Sequence, residues 1–293
     1  HIHREFNDFS LLIYHNKTLI ALLPGAVVIK NNVRFFHSHP GTSYGGFILK
    51  NRLNFQLINE IIRFTDQYLI KHKFKKIFLI NSPQVYWKEP HDSLDYLLQW
   101  NAYKTKEIYI SHATNIPRDI NVETLLSKRK RRYIINNAQL KQFSFQKIKN
   151  NSDIKELYSI LAKTKQKFNT TPTHSIEELV KLSDLFPNDI VIYISKLEHK
   201  VVGGCVIFHT TKTTSLVFYN IVNEKMTGLQ LSSFQLYNCL KVCQERGSTI
   251  FDLGVSQTPE KDNPLDPKFS LIQFKEHFGA RGILRIAYQK EYK

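Results

Sequence analysis

Val201-Val202-Gly203-Gly204-Cys205-Val206-Ile207-Phe208, then the polar turn Thr210 to Thr213, then Ser215-Leu216-Val217-Phe218-Tyr219-Asn220-Ile221-Val222, reads as two β-strands joined by a turn. Both runs are rich in β-branched and aromatic residues and are short enough to be strands. A polar loop, Asn223 to Gly228, comes next. Leu231, Phe234, Tyr237 and Leu240 then recur at helical spacing, and Gly247 closes that helix as a C-cap. Thr249 to Leu253 returns as a strand. Upstream, Ile154, Leu157, Tyr158, Leu161, Lys165 and Phe168 describe a leading helix, and Ile190 to Ser195 a leading strand.

The same order occurs earlier in the chain. Leu19 to Ile29 reads as a strand with a bulge or kink at Pro24-Gly25, Lys30-Asn31-Asn32 as a turn, and Val33 to Ser38 as the partner strand. The Gly-rich stretch His39 to Gly46 follows. Leu53, Leu57, Ile58, Ile61, Phe64 and Tyr68 mark one helix face, and Ile77 to Ile80 a short buried strand. Strand–turn–strand–loop–helix–strand, met twice, predicts a duplicated α/β (α+β) unit with mixed sheets flanked by helices. Residues 1–124 form the expected first domain, 125–150 a basic linker helix and first strand, and 151–293 the second domain.

Over 293 residues, 41 Lys+Arg against 25 Asp+Glu give a formal net charge of +16. Such a field concentrates polyanions, whether tRNA, nucleotide diphosphates or anionic lipid, although many Lys-rich proteins are basic without any such partner. Cys205, Cys239 and Cys243 are too few for a disulfide framework and complete no metal set, so they read as buried small apolar side chains. No run approaches the roughly 20 apolar residues of a membrane span, and no signal peptide is visible. The expectation is a cytoplasmic protein, with peripheral contact at the inner membrane open to it. The sequence begins without Met, so a preceding segment can be missing.

Three stretches belong together: Phe36-His37-Ser38-His39-Pro40-Gly41-Thr42-Ser43-Tyr44-Gly45-Gly46, the linker Leu126-Ser127-Lys128-Arg129-Lys130-Arg131-Arg132, and Phe251-Asp252-Leu253-Gly254-Val255 with Phe274-Lys275-Glu276-His277-Phe278-Gly279-Ala280. In this order they resemble the Fem-type aminoacyltransferases of the GNAT superfamily, many of which serve envelope polysaccharide pathways. The resemblance implies two tandem GNAT-like domains and transfer of an acyl or aminoacyl group to an amine. The implied acceptor is an amino sugar, a nucleotide-sugar, or a lipid-linked glycan or peptide precursor. It also implies that Lys275, in the FKxxFG motif, lies at the transfer site. No tightly bound cofactor is expected; acyl-CoA or aminoacyl-tRNA would be the co-substrate. GNAT enzymes hold the CoA pyrophosphate on a Gly-rich turn at a helix start. Here the equivalent Asn223 to Gln230 has one glycine, which tilts the expectation toward tRNA.

Amine attack on an ester or thioester carbonyl needs a donor for the oxyanion and a sink for the ammonium proton. Lys275 is the candidate donor. Asp252, in an otherwise apolar strand, is the candidate base, or a strand-end carboxylate bonded to nearby backbone. His37, His39, Tyr44, Gly45, Gly46, Phe274 and Arg34 are candidate substrate-binding residues. Lys128, Arg129, Arg131 and Arg132 are candidate polyanion contacts, of which a helix can turn only two or three toward one ligand, or else a solvated linker face. Pro264 to Pro267 reads as a lid loop, and no metal site is expected. The competing functions are an acyl-CoA-dependent N-acetyltransferase acting on a nucleotide-linked amino sugar, and a non-catalytic basic module binding nucleic acid or a membrane surface.

Overall fold

Paired left-handed residues at Asn16–Lys17 and at Asn31–Asn32 make two tight turns of the kind that joins twisted antiparallel strands. They close the hairpins β2 (Leu11–His15)/β3 (Thr18–Leu23) and β4 (Ala26–Lys30)/β5 (Val33–His37), after a short β1 (Asn7–Asp8). The computed structural model describes residues 6–38, 40–137, 140, 142–167, 169–257 and 265–292. Leu19 to Ile29 is two strands, not one. Pro24 lacks the N–H that a continuous ladder needs, and at Pro24-Gly25 the chain passes from a three-stranded sheet to the main sheet.

The chain continues through β6 (Ile48–Leu49), α1 (Phe55–Lys71), β7 (Lys76–Ile80), α2 (Ser93–Trp100), β8 (Lys104–Asn115), α3 (Lys128–Asn136) and β9 (Phe143–Lys147). Next come α4 (Asn151–Gln166), α5 (Ile176–Leu185), β10 (Ile190–Leu197), β11 (Lys200–His209), β12 (Thr214–Val222) and α6 (Leu231–Glu245). It ends with β13 (Ile250–Val255), α7 (Phe269–Glu276) and β14 (Arg281–Glu291). Among the described residues eleven strands form one sheet in the order β1-β4-β5-β7-β14-β8-β13-β12-β11-β10-β9, and β2-β3-β6 form the small one. The two predicted strand–turn–strand–helix–strand units are present, joined through the middle of a shared sheet.

The expected division into 1–124 and 151–293 runs against one connection. β14 lies between β7 and β8, pairing antiparallel with both, so residues 281–291 complete the sheet of the first half rather than the second. Asp66 of α1 ties this strand down. It accepts hydrogen bonds from Tyr103 and Tyr292 hydroxyls at 2.7 Å and from Lys290 Nζ at 2.6 Å. That network also turns α1. Ile58, Ile61, Ile62, Thr65, Asp66 and Leu69 face inward, while Phe64 and Tyr68, expected inside, are exposed. A carboxylate with three donors is stable at the inward position where apolar spacing alone would have put an aromatic ring.

In the second half both faces of the sheet are covered. Leu157, Leu161, Ile194 and Val206 share one core with Leu179, while Val202, Cys205 and Ile207 pack with Leu236, Cys239 and Leu240 of α6 in another. β11 is accordingly buried along nearly its whole length, as a strand between two helical layers should be. The three cysteines are free and buried, and burial pushes the Cys243 thiol up to about 12, so they serve as packing groups. Phe168 of the expected leading helix lies outside the described residues.

Candidate active site

β12 and β13 run parallel and pair only over Thr214–Leu216 and Ile250–Asp252. Beyond Leu216 and Asp252 they part, and a 290 Å³ cavity opens between Val217–Tyr219 on one strand and Leu253–Val255 on the other. Asp252 stands at the point of separation, 3% exposed. On its other side β13 pairs with β8, and the register slips between Asp252 and Val255. Gly254 makes that bulge at φ +72°, a backbone angle that side-chain-bearing residues adopt only at a cost. The bulge turns the Gly254 N–H back onto Asp252 Oδ1 at 2.7 Å.

The bulge also presents two carbonyls to α7. Lys275, 5% exposed, donates to Gly254 O and Val255 O at 2.8 Å and to Ser256 Oγ at 2.9 Å. All three ammonium hydrogens are therefore engaged inside the protein. Burial lowers the Lys275 pKa to about 8, partly opposed by the charge of Asp252. Ser256 Oγ is also 2.8 Å from Nδ1 of buried His112 on β8. Burial, and then the Lys275 charge, lowers the His112 pKa. Lys275, expected as the oxyanion donor, thus spends its three donors on the bulge and on Ser256, beside Asp252.

Tyr86, on the 3-10 turn Gln84–Tyr86, donates its hydroxyl to Asp252 Oδ2 at 2.5 Å. Tyr44 packs against it with ring centroids 4.9 Å apart. Burial raises the Asp252 pKa against the opposing pull of Tyr86, the Gly254 amide, Lys275 and Arg285. Arg285 enters from β14, where it stands opposite Tyr109 of β8, and its guanidinium lies 4.5 Å from that ring's centroid. Its Nε is buried and has no hydrogen-bond partner among the described residues. Arg285 and Tyr44 line both the 290 Å³ cavity and an adjoining 650 Å³ cavity that extends to His174, Lys181 and Phe208. A buried carboxylate, two phenols and a guanidinium therefore converge where the strands part.

Of the residues singled out in the sequence, Asp252 and Tyr44 line this cleft, and Lys275 supports it. Gly45 and Gly46 shape the chain that delivers Tyr44. The Gly45 amide donates to Ile80 O at 2.7 Å. A Cβ on Gly46, at φ +77°, would stand 2.3 Å from Asn81 Oδ1, so this close approach is to the residue that follows β7. His37 and Arg34 do not belong to the cleft. The His37 ring packs on Phe78 with centroids 4.9 Å apart, and Arg34 stacks on Phe74 at 4.5 Å, because β5 turns both toward aromatic neighbours. Phe274 packs on Phe278, 5.5 Å between centroids, at the edge of the second-half core. His39 and Pro264, the first residue of the expected lid loop, lie outside the described residues. Tyr86, Arg285, His112 and Ser256 went unnoticed in the sequence, since each is an isolated residue brought in by sheet register or by a turn.

A second basic feature lies beside α7. Ser127 caps α3, accepting from Lys130 N at 3.3 Å, and its own amide donates to His277 O. Arg129, Lys130 and Arg132 face one 610 Å³ cavity with His277 and Gln230, whereas Lys128 and Arg131 do not line it. Lys130 donates to Gln230 Oε1 at 3.0 Å and Ser233 Oγ at 2.9 Å. It thereby places an ammonium at the start of α6, and burial lowers its pKa. The glycine-poor turn Glu224–Leu229 precedes that start.

Eleven strands with this insertion, two helical layers and a cleft at parting parallel strands can be compared with solved structures. FemX superposes with a TM-score of 0.71 at 13% identity, covering 98% of this chain and 88% of FemX. The fold is that of FemX. A tandem GNAT protein from the clavulanic acid biosynthesis pathway superposes at 0.55 with 8% identity, over 96% of this chain and 82% of its own. The C-terminal domain of a protein described as a lysylphosphatidylglycerol synthetase, from Agrobacterium fabrum, gives 0.57 at 9% identity, over 98% and 85%. The tandem GNAT architecture expected from the sequence is therefore present. No family model and no curated protein sequence matches the chain. Among the described residues no helix is long and apolar enough to cross a membrane, and no group of three or more His, Cys, Asp or Glu is placed to hold a metal ion.

Proposed function

We propose that the protein is an acyltransferase that moves an aminoacyl group from tRNA to the amine of an amino sugar or sugar–peptide precursor. The observation that carries this reading is Asp252, a buried carboxylate with a raised pKa, facing a cavity at the parting of β12 and β13. The acceptor nitrogen attacks the ester carbonyl carbon, and a C–N bond forms. The oxygen that turns negative is held by the Arg285 guanidinium, which lines the cavity, and by the Tyr44 hydroxyl. Asp252 takes the proton from the nitrogen. As the C–O bond to the tRNA ribose breaks, that proton passes to the leaving oxygen. Tyr86, the Gly254 amide and, through the bulge, Lys275 keep Asp252 aimed.

The donor is inferred from the second basic feature. Arg129, Lys130 and Arg132 line one cavity without a carboxylate, which suits consecutive phosphates of a nucleic-acid end. The turn before α6 lacks the glycines that would let backbone amides wrap a pyrophosphate. FemX, similar in fold, supports the class of reaction and leaves the acceptor open.

The test supplies purified protein with total aminoacyl-tRNA carrying labelled amino acids, or with labelled acetyl-CoA, and with a UDP-linked amino sugar peptide as acceptor. Label should move from tRNA to the acceptor in an RNase-sensitive manner. Transfer from acetyl-CoA alone would reverse the donor assignment. Salt-sensitive tRNA binding without transfer from either donor would point to a basic binding module.

A further inference from the structure

An antiparallel sheet with one face toward water ordinarily alternates apolar inward and polar outward. The small sheet breaks that rule. Leu12 pairs with Leu22, and Leu22 with Ile48, across its three strands. All three therefore stand on one face, and Tyr14 and Leu19, also paired, continue it. This is the outer face, since Leu11, Ile13, Ala21, Leu23 and Leu49 on the other side pack into the first-half core. Leu12 is 58% exposed, Tyr14 57%, Leu19 44% and Ile48 53%. Scattered apolar side chains on a surface need no explanation, but five on one face of a small sheet, continuing past a register shift between Ile13 and Tyr14, do.

Three cations stand in the turns beside the face. Lys17 stands in the β2–β3 turn, and Lys50 and Arg52 follow β6, all exposed. Arg52 is paired with Glu89. A second copy of this chain would set those cations against their equivalents, each subunit carrying a formal net charge of +16. Five side chains are also far short of the roughly 20–30 residues per side of a stable dimer. An apolar patch with cations beside it matches instead a bilayer surface with anionic headgroups, which takes apolar side chains into its boundary and attracts the cations.

The face is continuous with the cleft. Ile48, Leu49, Lys50 and Arg52 line a 580 Å³ cavity whose inner wall includes Tyr44, Tyr86 and Trp87, and Tyr86 holds Asp252. We infer that the outer face of the β2-β3-β6 sheet docks on an anionic membrane surface, so that a lipid-linked acceptor enters through this cavity. The part concerning the acceptor rests on the acyltransferase reading; the docking itself does not.

Flotation with vesicles of phosphatidylcholine plus phosphatidylglycerol, and of phosphatidylcholine alone, tests it. Wild-type protein floats with the anionic vesicles, and Leu12→Thr/Tyr14→Thr/Leu19→Thr lowers that affinity by on the order of tenfold or more with an unchanged circular dichroism spectrum. Asp252→Asn floats like wild type even when transfer is lost, which separates docking from chemistry. The inference is overturned if wild type does not float, if it floats equally with phosphatidylcholine alone, or if the triple variant floats undiminished. A wild-type dimer in solution that the triple variant converts to a monomer would overturn it in favour of a second copy.

Discussion

At the scale of single residues, the cleft is a carboxylate kept from ionising freely and aimed by a buried cation. Asp252→Asn keeps the shape and the Tyr86 contact but removes the proton acceptor. Transfer should slow by about 100-fold or more, with little change in thermal stability, measured as single-turnover rates and by calorimetry. Lys275→Met leaves Gly254 O, Val255 O and Ser256 Oγ without their donor. Loss of about 2 kcal/mol or more of stability is expected in urea unfolding. The sign of the pH effect follows from the lowered pKa. Lys275 titrates near 8 when folded and near 10.4 when unfolded, so between these values the unfolded chain binds more protons. This residue therefore adds stability as pH rises through that window and withholds it below. Transfer should fall above about pH 8 as Lys275 loses its charge, and that alkaline limb should be absent from the residual activity of Lys275→Met. Asp252 drew notice as a carboxylate in an apolar strand, and Lys275 through the resemblance of its FKxxFG motif to Fem-type enzymes; the fold sets them side by side at the bulge. Tyr86 and Arg285 drew no notice, since Tyr86 lies 166 positions from the carboxylate it holds and nothing local marks either.

Among the elements, α3 offers the clearest separation of roles. Arg129 and Arg132 line the basic cavity and Arg131 does not. Arg129→Ala/Arg132→Ala should reduce the slope of log affinity for tRNA against log salt by about 1 to 2, while Arg131→Ala leaves it nearly unchanged in filter binding. The run of five basic residues raised the expectation of a polyanion contact, and helix phase turns Arg129, Lys130 and Arg132 toward one cavity. The turn carrying Tyr44 depends on Gly46. Gly46→Ala meets both a left-handed backbone and Asn81, and should cost about 1–3 kcal/mol together with a rise in KM as Tyr44 shifts. Strand and helix periodicity located β5, β7, β10 through β13 and α4 closely. It misplaced the inner face of α1 by following aromatics, because spacing cannot tell that Asp66 finds three donors. It also merged β3 with β4, because Pro24-Gly25 reads alike for a kink and for a change of sheet.

For the whole molecule the decisive contact is β14 between β7 and β8. Tandem duplication was legible from the repeated order of elements, but the exchange of this strand into the first half was not, since strand pairing over such sequence distance leaves no local trace. A chain ending at Ala280 should retain hydrogen-exchange protection in β10, β11 and β12. It should lose protection in β4, β5 and β7, along with the Arg285 contribution to the cleft. The insertion also orders events in time. A ribosome delivers residues 281–291 after every other element described above, so the first half emerges early yet waits, with a gap in its sheet, for almost all remaining synthesis. Pairings this remote form slowly, and exposed β7 and β8 edges are sticky in the interval. The small helical layers that fold locally on the second half can mature first, so the half synthesised last is the one positioned to finish first.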